Sequence, residues 1–161
     1  MREQVKQLLK NSVYRALGET ARGLGAVNGD DRSLRVLMYH KVNDLPGNRM
    51  SMPSALFDEQ MAQLRELGYT VVDLDAVLDH YVGGTPLTPG AVLITFDDGY
   101  RDNLLNAAPV LHAHGYPAVQ FVPIGYVGDR LPLPHEEHLA ANGVLNPTVD
   151  WEEIVLQIQP H

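Results

Sequence analysis

The run from Ala91 to Asn103 constrains the fold of this 161-residue chain more than any other stretch. It reads Ala-Val-Leu-Ile-Thr-Phe-Asp-Asp-Gly-Tyr-Arg-Asp-Asn. Its first six residues follow Pro89-Gly90 and are almost all apolar or β-branched, which predicts a strand buried on both faces. Two carboxylates and a glycine end the strand, and Tyr100 to Leu111 predicts a helix after them. Because α/β folds build their sites at the carboxyl ends of buried parallel strands, this stretch also predicts where chemistry takes place.

Asp97 and Asp98 are the candidate functional pair. Side chains alternate along a strand, so we expect neighbouring carboxylates to aim differently, one towards a cation and the other towards a proton. An Asp-Gly turn that merely ends a strand explains the same letters, since Asp-Gly is among the commonest turn dipeptides. The position of the pair at the end of a buried strand favours the functional interpretation.

Residues Thr95-Phe96-Asp97-Asp98-Gly99 match the Thr-Phe-Asp-Asp-Gly motif of the polysaccharide deacetylases, the NodB-homology or carbohydrate esterase family 4 enzymes. The segment 36–40 resembles that family's first strand, and 116–123 resembles its strand after the motif helix. The resemblance runs from about Leu34 onwards. It implies an α/β fold, a partial irregular (β/α) barrel of the NodB type. It also implies a NodB-like domain, incomplete at its carboxyl end, over 34–161. Residue spacing and composition predict an amino-terminal helix and linker over 1–33.

This resemblance implies a hydrolase that removes N- or O-acetyl groups from an acetylated polysaccharide or oligosaccharide. Asp98 would then ligate a divalent metal, with zinc as the expected ion, and Asp97 would be the general base. His40 and Tyr100 would line the substrate site. A glycosidase is the other enzyme class considered, but it needs two carboxyl groups roughly 5–9.5 Å apart, normally on separate strands. A phosphatase of the Asp-x-Asp type would need a different spacing.

The carboxyl end departs from the family pattern. Family members place a His-x-x-x-His motif after a tryptophan that corresponds to Trp151, and these histidines complete the metal site. His161 is the candidate for the first of them, after a run from Val155 to Pro160 with strand character. An ending unrelated to this motif is the other interpretation of the last residues. Catalytic zinc usually takes three protein ligands, so we expect an incomplete site. An inactive fragment or a non-catalytic carbohydrate-binding relic is therefore the alternative.

Four other histidines form two pairs. On a helix, His112 and His114 diverge by about 200°, so they cannot chelate one ion and are assigned a structural role. His135 and His138 are three apart and could bind a metal with a glutamate. A solvated acidic helix start after Pro134 explains the same letters and is favoured.

The remaining elements follow from periodicity and caps. Helices are predicted over 53–67 and 74–81, strands over 34–39, 69–72 and 118–123, and a loop over 42–52. Asp150 and Glu153 predict a capping box at the start of a further helix, with Trp151 packed against the fold. Asp102 and Asn103 are expected to serve the helix start rather than the substrate.

Composition excludes several partners. The net charge is −8 and no basic run occurs, so nucleic acid and anionic membrane surfaces are poor partners. The first 29 residues show neither a signal peptide nor a membrane span, although apolar residues at near-helical spacing predict an amphipathic helix there. The cytoplasm is the default expectation, while the family often acts on extracellular or cell-wall polymers. The sequence predicts no oligomeric state.

Overall fold

The computed structural model describes residues 32–45, 48, 50–128 and 132–158, with side chains as far as residue 154. His161 and almost all of the predicted amino-terminal helix and linker lie outside these residues. The strands in the described ranges are β1 (Arg35–Tyr39), β2 (Lys41–Val42), β3 (Ser51–Met52), β4 (Thr70–Val71), β5 (Ala91–Phe96) and β6 (Val119–Gln120). The helices are α1 (Ser54–Glu66), α2 (Leu74–Tyr81), α3 (Ala108–His114), α4 (Glu137–Ala140) and α5 (Trp151–Ile158).

Strand β5 is the centre of a parallel sheet. Along one edge it pairs with β1, in a register that runs from Arg35 opposite Val92 to Tyr39 opposite Phe96. Along the other edge it pairs first with β4 and then, at Thr95 and Phe96, with β6. All six residues of β5 are buried. The prediction of a parallel strand covered on both faces is confirmed.

The two faces of β5 pack against different helices. Val92, Ile94 and Phe96 join a core cluster with Phe57 and Met61 of α1 and with residues of the motif helix. Ala91 and Leu93 alternate with them and pack in a second cluster that includes Val77 of α2. The side-chain period of two therefore sends alternate residues of one strand into two separate cores. These cores fix the carboxyl end of β5, where the motif begins.

Aromatic packing holds β1 beside the end of β5. The ring of Tyr39 meets Phe57 edge-on with centroids 5.1 Å apart, and it lies 5.6 Å from the ring of Phe96. The tyrosine hydroxyl donates to Oε1 of Gln60 in α1 at 2.9 Å. Tyr39 is thus a half-buried residue that packs against the core at the carboxyl end of β1, directly before His40.

Several predicted elements differ from the structure. The predicted loop 42–52 includes Val42 of β2 and the whole of β3, and these two strands pair in a separate two-stranded sheet. The predicted strand over 155–160 is wrong for residues 155–158, which belong to α5. The motif helix contains a π-helical stretch, Asn103–Ala107, before α3. Trp151 is 56% exposed, so its predicted packing role is wrong.

Local caps explain where two helices start and stop. In the capping box of α5, the Glu153 N–H donates to Oδ1 of Asp150 at 2.8 Å, and the Asp150 N–H donates to Oε2 of Glu153 at 3.1 Å. Gly115 ends α3 in the left-handed conformation, with φ of 69°. The capping box was predicted from the sequence. In the described ranges, no helix has the length and apolar character needed to cross a bilayer.

Candidate active site

The carboxyl end of β5 leads into a sharp turn at Asp97, Asp98 and Gly99. Asp98 has φ of 69° and Gly99 has φ of 62°, so two consecutive residues take the left-handed conformation. That conformation costs a residue with a Cβ roughly 1–2 kcal/mol, although aspartate visits it more readily than most. A Cβ on Gly99 would lie 3.0 Å from Cγ1 of Val122. The turn therefore requires glycine at position 99 for space as well as for conformation.

The segment 147–149 holds this turn from the other side. The Arg101 N–H donates to the Pro147 oxygen and the Val149 N–H donates to the Gly99 oxygen, both at 2.9 Å. These bonds flank an antiparallel bridge between Tyr100 and Thr148. In a bridge of this kind the two facing residues direct their own N–H and C=O groups away from each other. The Tyr100 N–H therefore points away from Thr148.

Asp97 extends the pairing of β1 and β5 by one residue. Its N–H donates to the Tyr39 oxygen at 2.9 Å, and the residue is partly buried. The strand itself ends at Phe96, and Asp98 has left the extended conformation. The sequence predicted that alternation along a strand would aim Asp97 and Asp98 differently. Alternation does not set the direction of the Asp98 side chain, because Asp98 lies beyond the strand. The left-handed backbone governs it instead.

Two histidines lie beside Asp98. Nε2 of His135 is 3.4 Å from Oδ2 of Asp98, and Nε2 of His40 is 3.9 Å from the same oxygen. His40 follows β1 directly, so parallel pairing with β5 brings it to the edge where Asp98 lies. The Asn103 side-chain amide donates to the His40 carbonyl oxygen at 2.9 Å and ties this segment to the motif helix.

His135 reaches the site from a 3₁₀-helical turn, Pro134–Glu136. Its side chain is 43% exposed, whereas the side chain of the next residue, Glu136, is 4% exposed. The predicted solvated acidic turn is therefore wrong for Glu136. His138, three residues on, is exposed on α4.

A buried ion pair lies next to these groups. Nζ of Lys41 contacts Oε1 of Glu136, and the Lys41 side chain is fully buried. The Asn146 amide donates to both carboxylate oxygens of Glu136 at 3.2 Å. The Lys41 ammonium also lies over the Tyr100 ring, 4.7 Å from its centroid. Sequence reasoning missed this group, because nothing in either sequence position signals that Lys41 and Glu136 pair.

Tyr100 connects the ion pair to the histidine. Its hydroxyl lies 3.0 Å from Nε2 of His135 and its side chain is buried. Burial raises the pKa of the Tyr100 hydroxyl far above its usual range, and the negative charges of Glu136 and Asp98 raise it further. The hydroxyl therefore stays protonated at any ordinary pH. The buried ring offers no face for stacking against a sugar, so Tyr100 gives no support to the alternative of a non-catalytic carbohydrate-binding domain.

Asp102 and Asn103 tie the motif helix to the segment after β1 rather than capping it. The Asn43 amide donates to Oδ2 of Asp102, and Asp102 makes no side-chain cap bond to the helix. Burial raises the pKa of Asp102 to about 6, an effect that the hydrogen bond from Asn43 and the charge of Lys41 partly oppose. Both residues lie in the first turn of the motif helix, as predicted, and their side chains also contact the segment after β1.

The donor set beside Asp98 fits part of a metal site. Two ligands that each lie about 2.05 Å from a tetrahedral zinc ion are separated by roughly 3.3 Å. The 3.4 Å between Asp98 and His135 matches that separation, while the 3.9 Å to His40 is longer. Within the described ranges, no group of three or more His, Asp or Glu side chains is arranged to hold an ion. The described residues therefore fit as two ligands of a metal site, and His161 lies outside them.

His112 and His114 do not contribute to this site. Nε2 of His114 lies 2.8 Å from Oδ1 of Asp58 on α1, and its ring stacks on Tyr116 with centroids 5.6 Å apart. His112 is exposed. The structural role predicted for this pair is confirmed for His114.

Sequence comparison identifies relatives of the chain. The sequence profile of the family described as polysaccharide deacetylase matches residues 84–155. The putative polysaccharide deacetylase YxkH of Bacillus subtilis (strain 168) is 35% identical over 126 residues, which are 75% of this chain and 44% of that protein. The poly-beta-1,6-N-acetyl-D-glucosamine N-deacetylase of Escherichia coli (strain K12) is 37% identical over 91 residues, 55% of this chain and 13% of that protein.

Solved structures show the same fold. IcaB from Ammonifex degensii superposes with a TM-score of 0.65 at 30% identity, over 79% of this chain and 48% of that one. The de-N-acetylase from Aggregatibacter actinomycetemcomitans superposes with a TM-score of 0.63 at 24% identity, over 77% of this chain and 50% of that one. The chain thus spans half or less of the length of each of these proteins, and its sheet and helices form a partial (β/α) barrel. The chain carries a polysaccharide deacetylase domain of the NodB type over part of its length.

Proposed function

We propose that this domain removes acetyl groups from an acetylated polysaccharide or oligosaccharide, and that N-acetyl groups on hexosamines are the first substrates to test. The observation that carries the proposal is the Asp97-Asp98-Gly99 turn at the carboxyl end of β5, with His135 against Asp98. Similarity to known proteins supports the same class of substrate, since one relative is an N-deacetylase of poly-beta-1,6-N-acetyl-D-glucosamine. That activity belongs to the whole relative, of which this chain spans a small part.

An N-acetyl group is an amide, which water attacks too slowly without help. Asp97 is proposed as the general base that accepts a proton from the attacking water, a role worth about 10²–10⁴ in rate. Asp98 and His135 would be two of the residues that hold a divalent cation, with zinc as the expected ion. When bound, such an ion polarises the acetyl carbonyl and lowers the pKa of a water molecule. Separate carboxylates are needed because a carboxylate bound to a cation is a weaker base.

Backbone and side-chain groups around the turn complete the proposed site. The Tyr100 N–H, directed away from Thr148, is proposed to donate to the oxygen that becomes negative as water adds to the acetyl carbonyl. His40 would line the same space from the end of β1. The substrate is thereby proposed to lie along the edge where β1 and β5 end.

The test compares four forms of the chain: the unchanged sequence, Asp97→Asn, Asp98→Ala and, as a control, Asp79→Asn on the exposed surface of α2. Calorimetry measures Zn²⁺ binding, and an enzymatic assay measures acetate released from an oligomer of N-acetylglucosamine. We expect Asp98→Ala to abolish binding. Asp97→Asn should retain binding and lose at least about a hundredfold in acetate release. Acetate release that survives Asp97→Asn unchanged would contradict the assigned roles.

The arrangement of two ligands at Asp98 and His135 also favours a second candidate function for this domain, which is to bind the polymer without removing its acetyl groups. A site with two described ligands is short of the three that catalytic zinc usually takes. A domain that binds the polymer without cleaving it would show oligosaccharide binding, no acetate release and no response to Asp97→Asn. The same four proteins and the same oligomer distinguish the two functions.

A further inference from the structure

The two histidines beside Asp98 are each followed in the chain by one member of the buried ion pair. His40 precedes Lys41, and His135 precedes Glu136. Lys41 and Glu136 meet in the interior, while the two imidazoles meet the same carboxylate oxygen of Asp98. One ion pair therefore joins the two segments that deliver histidines to the site.

The stability of the fold does not by itself explain why a buried Lys41–Glu136 ion pair is present. Removing two charges from water costs several kcal/mol per ion, and a well-packed apolar pair of similar volume is often as stable or more so. The site nevertheless supplies Glu136 with two bonds from Asn146 and places the Lys41 ammonium over an aromatic ring. These directional contacts fix the positions of the two side chains. Apolar contacts have no preferred direction and would fix them less strictly.

The aromatic ring in question also touches the histidine. Tyr100 lies under the Lys41 ammonium with its ring and reaches Nε2 of His135 with its hydroxyl. A displacement of Lys41 or Glu136 would therefore reach His135 by two routes, through the peptide bond to Glu136 and through Tyr100.

We propose that Lys41 and Glu136 are positioning residues whose buried ion pair sets the spacing of His40 and His135 around Asp98. The proposal rests on the proposed function, because it assigns the pair to the deacetylase site. His40 and His135 approach the Asp98 carboxylate, whereas Lys41 and Glu136 contact each other. Their effect on the site passes through the two imidazoles.

The test uses Glu136→Gln, which keeps the shape of the side chain and removes its charge. Its control is Glu137→Gln, the same change at the exposed neighbouring residue. Nitrogen-15 NMR of the imidazole rings, recorded on the metal-free chain, reports the surroundings of His40 and His135 directly. We expect both ring signals to shift in Glu136→Gln and to stay in place in Glu137→Gln. Unchanged ring signals in a folded Glu136→Gln protein would overturn the proposal.

Zinc affinity supplies the second readout. Residues that orient a metal ligand typically change metal affinity by about 10–100-fold when mutated, and we expect a loss in that range for Glu136→Gln. In a His135→Ala background the same change should have a much smaller effect on affinity. Its effect on the free energy of unfolding should be the same in both backgrounds. If Glu136→Gln lowered zinc affinity by the same factor in the His135→Ala background as in the unchanged chain, Glu136 would not act through His135.

Glu136→Gln leaves Lys41 buried without a counter-ion and can fail to fold. The double variant Lys41→Met/Glu136→Gln removes that charge, so we expect it to fold. Its ring signals should still differ from those of the unchanged chain, and wild-type signals would contradict the positioning role. The NMR result does not depend on acetate release, so failure of the proposed function and failure of this inference give different outcomes.

Discussion

Nε2 of His135 lies 3.4 Å from Oδ2 of Asp98, although α3 and β6 separate the two residues along the chain. Asp98 occupies a strained turn after the central strand, and His135 a 3₁₀-helical turn in a segment without clear periodicity. Their contact depends on how the second segment is anchored. The buried pair Lys41–Glu136 provides that anchor and leads to the first prediction.

We expect Lys41→Met alone to lower the free energy of unfolding by about 3–5 kcal/mol, because it leaves the Glu136 carboxylate buried and unpaired. The double variant Lys41→Met/Glu136→Leu should recover most of that loss. Urea unfolding measures both. The control is Arg101→Met, which breaks an ion pair with Glu153 in which Arg101 is 47% exposed and should cost about 1 kcal/mol or less. A double variant as unstable as Lys41→Met would contradict this account.

Asp102 predicts a pH dependence of stability. Its pKa is about 6 in the folded protein and has an ordinary value of 3.8 when unfolded. Between these two values the folded state holds a proton that the unfolded state has released. The contribution of Asp102 is therefore present at low pH and is lost as the pH rises towards 6. At about 1.4 kcal/mol per pKa unit, the loss reaches roughly 3 kcal/mol.

Asp102→Asn should remove this dependence, because the amide cannot ionise and still accepts from Asn43. The measurement is the free energy of unfolding at a series of pH values for both proteins. The difference between them should be small at low pH and should favour the variant at neutral pH. A variant less stable than the unchanged chain at pH 7, with a parallel pH profile, would show that the buried charge is not the cause.

Gly99→Ala tests the need for space at the motif turn. The new Cβ would lie 3.0 Å from Cγ1 of Val122 in a backbone with φ of 62°, so strain and overlap combine. We expect a loss of about 2–5 kcal/mol in the free energy of unfolding, from roughly 1–2 for conformation and 1–3 for overpacking. Gly68→Ala is the matched control, since φ is 77° and nothing lies within 4 Å of its Cβ. Equal losses at the two positions would exclude the overlap with Val122.

Asp150→Ala tests the capping box of α5. Loss of an N-cap side chain typically costs about 1 kcal/mol. The Glu153 N–H, which donates to Oδ1 of Asp150, should exchange with solvent faster by about fivefold, the factor that 1 kcal/mol corresponds to. Asp150→Ser keeps an acceptor at this position and should exchange at nearly the rate of the unchanged chain. Equal exchange rates in the alanine and serine variants would rule out the cap as the source of protection.

The elements that local patterns determine were predictable from the sequence. The apolar run of β5, the periodicity of α1 and α2 and the capping box of α5 each depend on residues close together in the chain. The Thr95-to-Gly99 motif likewise placed two carboxylates at the end of a buried strand. The predicted strand over 155–160 is wrong at residues 155–158, because the capping box at Asp150 starts a helix that continues through them.

The sequence by itself determined the parallel sheet around β5, the turn at Asp97 and Asp98 and the resemblance to the deacetylases. Only the tertiary structure decided which histidine approaches Asp98 besides His40, and that Glu136 is buried against Lys41 rather than solvated. The physical reason is that periodicity and capping act within a few residues of the chain. A buried ion pair forms between segments whose only relation is their meeting in space, and in this protein that meeting brings His135 to the site.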